Sequence, residues 1–358
     1  MDFPRFMWLA LYAPGLGYYA AGSAKLGSAG DFVTAPELSP LFSRMLARQV
    51  AQVLADTGGD VLELGPGSGR MAADILNALA QMDRLPGRYL LLEVSADLRE
   101  RQGHTLHALQ ERLRERVVWI ERLPDELTGV VLANEVLDAL PVSIVAWRDG
   151  ELYERGVACR QDAFEWQDRP LRSGRLFEEA LRIGASQPAV GHAALYVSEI
   201  GLEARDLTRT LASMLRRGAL LLIDYGFGEP EFYHPQRDRG TLMCHYRHRA
   251  HDDPFLWPGL QDITAHVNFS TLARAGVEQE MSVLGYTTQA NFLVNLGIAQ
   301  ALAAVPADDA ATYARTVAPV QRLLSPAEMG ELFKVLALGR DVTVPLSGFA
   351  RGDLSRLL

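Results

Sequence analysis

The segment VLELGPGSG, residues 61–69, restricts the fold more than any other stretch of the chain. A short apolar run ends in a glycine-rich turn, and residues 70–81 continue with Met71, Ile75 and Leu79 at helical spacing. A buried strand that turns on glycine straight into a helix opens a βαβ unit, and such units place ligands at the carboxyl edge of a parallel sheet. The pattern then repeats. YLLLEVS (89–95) reads as a second buried strand, 96–115 as a charged amphipathic helix, and VVWI (117–120) and GVVLAN (129–134) as further strands. Apolar strands alternating with helices demand a sheet covered on both faces. The expected fold class is α/β, with a doubly wound, mostly parallel, Rossmann-like sheet.

The rest of the chain is arranged around that core. Residues 1–58 form an N-terminal extension: a short helix, a Gly/Pro-rich loop, and a lead-in helix capped by Ser39-Pro40 and ended by Gly58-Gly59. Residues 59–141 make the first half of the core. In 142–190 the Asp149-Gly150 turn between β-rich flanks marks an antiparallel insertion. The second half, 191–286, contains a helix over 202–216, a buried strand in ALLLIDYG and a loop region over 226–268. A strand is expected at EQEMSVLG (278–285). Residues 287–325 read as a helical insertion, and 326–358 as a C-terminal helix and last strand.

The formal net charge of −9 gives no global positive field, which argues against nucleic acid as a partner. Two cysteines, Cys159 and Cys244, make neither a disulfide framework nor a metal-ligand spacing, so no metal is expected. No apolar run approaches the roughly 18 residues of a membrane span, so no membrane insertion is expected. MDFPRFMWLALY lacks the basic start of a secretory leader and the Arg/Ser bias of a transit peptide, and the location expected from it is the cytoplasm. A homo-oligomer is left open.

The glycine spacing discriminates between cofactors. Gly65, Gly67 and Gly69 follow G-x-G-x-G, whereas the dinucleotide fingerprint needs its third glycine one place later, where Arg70 stands. That disfavours a nicotinamide-dependent oxidoreductase. A ligand with an adenosine and an amino-acid tail suits the turn, with Pro66 and Ser68 among its walls. Glu93 ends the second strand, where a carboxylate accepts hydrogen bonds from both ribose hydroxyls, and Val94 follows it. The fourth strand ends differently. In LANEVLDALP (132–141) an apolar run gives way to Asn134, Glu135 and Asp138. This is either an ordinary strand-to-helix turn or a site that holds something polar and positively charged.

The segments GYYAAGSAKLGSAGDFVTAPELSPLF, VLELGPGSGRMAADIL, LANEVLDALP, IDYGF, DITAHVNF and FKVLALG occur in this order and span nearly the whole chain. Together they resemble the MidA family of class I S-adenosylmethionine-dependent methyltransferases, which includes the mitochondrial protein-arginine methyltransferase that acts as a complex I assembly factor. The resemblance implies a seven-stranded methyltransferase sheet with insertions. It also implies S-adenosylmethionine in the Gly65–Gly69 turn with Glu93 on its ribose, and a protein partner carrying an acceptor arginine, such as a respiratory complex I subunit. One departure stands out: where the family shows HVDF, this chain has Asn268 after His266-Val267.

Arginine is a difficult acceptor because its guanidinium is fully protonated in water. Carboxylates must grip the fork bidentately, aim one nitrogen at the methyl group and take the released proton. Glu135 and Asp138, three apart on a helical turn, are the expected catalytic pair, with Asn134 facing the cofactor. By the resemblance, the GDFVTAPE loop supplies a lid with Asp31, Thr34 and Glu37 on the substrate side. Asp262 and His266 make a further substrate-side pair if DITAH is helical. CHYRHRAHD (244–252) reads as an exposed loop, and Tyr225, Phe227 and Tyr246 as residues for a pocket wall or the core. A cofactor-binding assembly factor with little catalysis is the alternative of a different class.

Overall fold

The computed structural model of the protein describes residues 1–20, 33–247, 249–305 and 310–358. Strands β1 (Asp60–Leu64), β2 (Tyr89–Leu92), β3 (Val117–Ile120) and β4 (Leu127–Asn134) form where the apolar runs place them, and they pair in parallel in the order β4-β1-β2-β3. Alternate residues feed two cores. Val61, Leu91 and Val130 pack with the lead-in helix Pro40–Thr57 on one face, while Leu62, Leu90 and Val131 pack with the helix Leu202–Met214 on the other.

The chain then leaves the sheet. Strands β5 (Ser143–Arg148), β6 (Glu151–Arg160), β7 (Ala163–Pro170) and β8 (Leu195–Ile200) form a separate antiparallel sheet in the order β7-β6-β5-β8. Asp149 and Gly150 turn between β5 and β6 with φ of 50° and 83°, the left-handed pair that a two-residue hairpin requires. Strand β9 (Leu215–Phe227) returns to the main sheet beside β4. A small sheet of β10 (Met243–Tyr246), β11 (Arg249–His251) and β12 (Asp262–Thr264) follows. After it, β13 (Val267–Asn268) pairs with β9, and β14 (Ser282–Thr288) and β15 (Phe333–Arg340) complete the main sheet. The order is β14-β15-β9-β4-β1-β2-β3, and β15 runs antiparallel to both neighbours. Because β1 lies between β4 and β2, the winding reverses there, and Leu64 and Ala133 sit side by side at the carboxyl ends of β1 and β4. That is the crevice in which doubly wound sheets bind ligands.

Several sequence expectations need correction. The helix expected over 96–115 is two, Ala96–His107 and Glu111–Arg114. Strand β9 starts at Leu215, with Gly218 inside it. The helix expected over 202–216 ends at Met214, and a Cβ on Gly218 would lie 1.8 Å from the Gly129 carbonyl oxygen, so glycine there permits a close strand approach. The strand placed at 278–285 runs over Ser282–Thr288 because the helix Phe269–Val277 occupies the preceding chain. The region expected to be loop over 226–268 contributes β10, β11 and β12, and the expected exposed loop CHYRHRAHD includes parts of β10 and β11. Cys244 and Ile263 are buried under the N-terminal helix Phe3–Tyr12, and such isolated apolar residues leave little periodicity to read.

Glu63 is a charged residue inside the core of β1. Tyr89 Oη donates to its Oε2 at 2.6 Å, and burial pushes the carboxyl from its ordinary 4.5 up to about 7. A raised folded-state value means that the stability is fully present below the unfolded value and is lost as pH rises through about 7. Glu63→Gln keeps an acceptor for Tyr89 and removes the charge. Urea unfolding is expected to show the wild type weakening more steeply than the variant between pH 5 and 8, so that the variant is the stronger at pH 8 by about 3 kcal/mol. Equal pH slopes would refute this.

Candidate active site at the ends of the first and fourth strands

Gly65, Gly67 and Gly69 all have positive φ (59°, 54° and 79°). At Gly69 a Cβ would also approach Gln102 to 3.2 Å, so two constraints select glycine. Pro66 is buried under the turn, its carbonyl accepting the Gly69 N–H at 2.8 Å, and the helix Arg70–Gln81 starts directly afterwards. Gln102 ties the turn to the second strand. Its Nε2 donates to the Gly67 carbonyl (3.0 Å) and to Glu93 Oε2 (3.1 Å), and its Oε1 accepts from Trp119 Nε1 (2.8 Å). Glu93 Oε1 accepts the Ser95 N–H at 2.8 Å, and burial raises the Glu93 carboxyl above its ordinary value. Val94 stands beside it, 82% exposed. Gln102 gave no signal in the sequence, since it lies on an otherwise charged helix.

The end of β4 is a turn and not a helix. Glu135 has φ 53°, and its N–H donates to the Ile223 carbonyl at 2.9 Å. Glu135 and Asp138 therefore do not share a helical face as expected. The Glu135 carboxylate accepts from the Ala35 N–H (3.1 Å) and from Asn134 Nδ2 (3.1 Å), which leaves Asn134 Oδ1 buried without a hydrogen-bond partner. Asp138 points elsewhere. It is 7% exposed and takes a hydrogen bond from the Tyr225 hydroxyl, while its Oδ1 has no hydrogen-bond partner. An unpaired buried carboxylate oxygen is costly unless a donor joins it.

Asp224 builds the turn from below. Fully buried, its Oδ2 accepts from the Leu137 (2.9 Å) and Asp138 (3.2 Å) N–H groups and its Oδ1 from the Tyr225 N–H (2.9 Å). Burial and the neighbouring Asp138 and Glu135 charges raise its carboxyl well above the usual range. Burial likewise lifts Asp138 to about 6 and, with the Asp138 charge, Glu135 to about 8. These groups crowd carboxyls together where no side-chain cation is bonded to them among the described residues. Reasoning from sequence missed Asp224, although ALLLID ends an apolar run in a carboxylate just as YLLLE does.

The N-terminal extension closes over this cluster. Tyr12 Oη donates to the Ala139 carbonyl (2.9 Å), Tyr19 Oη donates to Asp262 Oδ1 (3.0 Å), and the two rings stack with centroids 5.5 Å apart. Asp262 is buried on β12, close enough for its charge, with that of Asp138, to raise both phenols above their ordinary value after burial itself. Glu37 accepts from Ser68 Oγ and lies 3.7 Å from Arg70, while Thr34 precedes the short helix Ala35–Leu38. The segment 33–38 thus bridges the glycine turn and Glu135. Asp31 lies outside the described residues.

Asp262 and His266 do not form a helical i, i+4 pair; Asp262 lies in β12 and His266 follows that strand outside any helix. His266 packs edge-on against Tyr225 and Phe227, with centroids 5.2 Å away in each case, and its Nδ1 is buried without a partner. Burial, then Arg237 and Lys334, press it down to about 4, so it is neutral at pH 7. Asn268 caps the helix Phe269–Val277, its Oδ1 accepting the Thr271 N–H at 3.2 Å. An amide performs that task as an aspartate would. Tyr246 packs against Trp257. Among the described residues there is no group of metal-binding side chains and no helix long and apolar enough to cross a membrane.

Comparison with known proteins gives this geometry its chemistry. Residues 45–287 match the family model described as "Putative S-adenosyl-L-methionine-dependent methyltransferase". A superfamily member from Burkholderia thailandensis, solved bound to S-adenosyl-homocysteine, is 47% identical with a TM-score of 0.93, covering 100% of this chain and 92% of that one. The mitochondrial protein arginine methyltransferase NDUFAF7 of Danio rerio is 28% identical, covering 98% of this chain and 89% of its own. Its Homo sapiens counterpart is 26% identical, at 93% and 79%. Both are named as mitochondrial, which contradicts the cytoplasmic location expected from residues 1–12. The sheet order is that of a mostly parallel methyltransferase core, and the cofactor is S-adenosylmethionine. The chain belongs to this family of S-adenosyl-L-methionine-dependent methyltransferases.

Proposed function

We propose that the protein methylates an arginine of a partner protein. The observation that carries this reading is Asp138. It is a buried carboxylate with an unpartnered oxygen, set among other carboxylates and tyrosines next to the end of β1. Such a site is costly when empty and suits a flat cation with several N–H donors. The names of the curated relatives support arginine as the acceptor. A respiratory complex I subunit is the partner that the family resemblance implies.

The residues present fit the cofactor. The Gly65–Gly69 turn, with Pro66 and Ser68, offers backbone that a ligand can approach closely. Glu93 would hold the ribose and Val94 would lie against the base, while Asn134 Oδ1 is free for an ammonium. Bound S-adenosylmethionine supplies an electrophilic methyl group on a sulfonium. The chain aligns the acceptor and excludes water, which is most of what an in-line displacement needs. In this reading Asp138 and Asp262 hold the guanidinium, with Tyr12, Tyr19 and Tyr225 as walls, and Asp138 Oδ1 takes the released proton. Glu135, already engaged with Ala35, holds the 33–38 segment over the site, with Thr34 and Glu37 on that segment. His266 sits behind Tyr225 and keeps it in place.

Calorimetry tests the acceptor assignment. With S-adenosylhomocysteine saturating, N-acetyl-arginine methylamide is expected to bind in the millimolar range. The neutral citrulline analogue is expected not to bind, and Asp138→Asn to abolish arginine binding. Equal binding of the two amides would sink the assignment.

A further inference from the structure

Two surface loops meet beside the acceptor site. The backbone at Gly259 packs on the turn that follows the N-terminal helix, so tightly that a Cβ there would lie 2.5 Å from the Leu16 carbonyl oxygen. The same two loops supply the Tyr19–Asp262 hydrogen bond, three residues beyond Leu16 and two beyond Leu260. Large apolar side chains stand out at this junction: Leu16 is 77% exposed, Leu260 61%, Trp257 47% and Leu256 37%. Scattered exposed leucines need no explanation, but several on two touching loops form a patch of the kind that marks an interaction site.

Trp257 adds an independent observation. Its φ of 56° is left-handed, a conformation that a bulky side chain rarely adopts. Its carbonyl is held by the Leu260 N–H at 3.0 Å and its ring by Tyr246, with centroids 4.7 Å apart. The loop thus holds a half-exposed indole in a strained backbone, and rigid aromatic anchors of this type dominate protein recognition.

We propose that Leu16, Leu256, Trp257 and Leu260 form the docking surface for the acceptor protein, taking apolar side chains that flank its arginine. This rests on the arginine reading above. Continuity selects the occupant, because the patch borders Asp262, which is assigned to the guanidinium. Leu260 stands two residues before Asp262, at most about 7 Å along the chain, so an extended partner would place an apolar residue about two positions from the arginine. Glycine-rich or acidic flanks would leave the patch uncovered.

The test uses the full chain with Leu16→Ser, Trp257→Ser and Leu260→Ser combined. Extract of cells lacking the protein is incubated with tritiated S-adenosylmethionine and either enzyme. The triple variant is expected to label protein at least about tenfold more slowly, since it loses the burial of three large side chains. S-adenosylhomocysteine affinity, melting temperature and N-acetyl-arginine methylamide binding are expected to stay as in the wild type. Labelling as fast as the wild type would overturn the docking surface alone. So would parallel loss of amide binding, which would mean a damaged acceptor site, or a wild-type dimer that the variant dissolves, which would mean a self-interface. Extract left unlabelled by the wild type would instead overturn the arginine reading itself.

Discussion

Asp138→Asn is expected to slow methyl transfer to protein by roughly 10³-fold, the range of a lost general base or positioned charge, with S-adenosylhomocysteine affinity changed by no more than about twofold. The substitution is nearly isosteric. An amide still accepts from Tyr225, and Asp224 still holds the turn through backbone N–H groups, so the fold has no reason to fail. What disappears is the charge facing the acceptor and the oxygen that receives its proton. The pH profile carries a second signature. Asp138 is raised to about 6, and the carboxylate is the form that grips a cation, so wild-type kcat/KM is expected to climb as pH passes through about 6. The variant should lack that limb. A variant with full activity, or one with the limb intact, would remove Asp138 from the mechanism.

Glu93→Ala is expected to weaken S-adenosylhomocysteine binding by roughly 10²–10³-fold, the value of two hydrogen bonds to one partly buried carboxylate. The loss is compounded by Gln102, whose Nε2 bridges Glu93 and the Gly67 carbonyl. Removing the carboxylate frees that amide and loosens the glycine turn as well. Calorimetry of the variant measures the loss directly, and affinity within about threefold of wild type would show that the ribose is held elsewhere.

The core was legible in the sequence because each of its parts is local. Glycine spacing at 65–69, the mostly apolar run at 61–64, the apolar run at 89–92, and helical spacing at Met71, Ile75 and Leu79 are each signals carried within a few residues. The candidate site was half legible. Glu135 and Asp138 were visible as polar residues at a strand end, but their directions were not. A left-handed Glu135 sends its carboxylate to Ala35, 100 residues away in sequence, and leaves Asp138 to Tyr225. Long-range partners decide such orientations, and no local period encodes them. The same holds for Tyr12 and Tyr19, which reach Ala139 and Asp262 only after the extension folds back. The 226–268 region was read as a loop because its few buried residues, such as Cys244 and Ile263, are paired across strands and not along the chain.

The central claim is that this active site methylates arginine in protein. Mass spectrometry of arginine methylation in cells with the protein, without it, and with the Asp138→Asn form tests it most directly. The account predicts at least one methylarginine that vanishes without the protein, returns with the wild type and does not return with Asp138→Asn. Every methylarginine persisting in cells without the protein would contradict it.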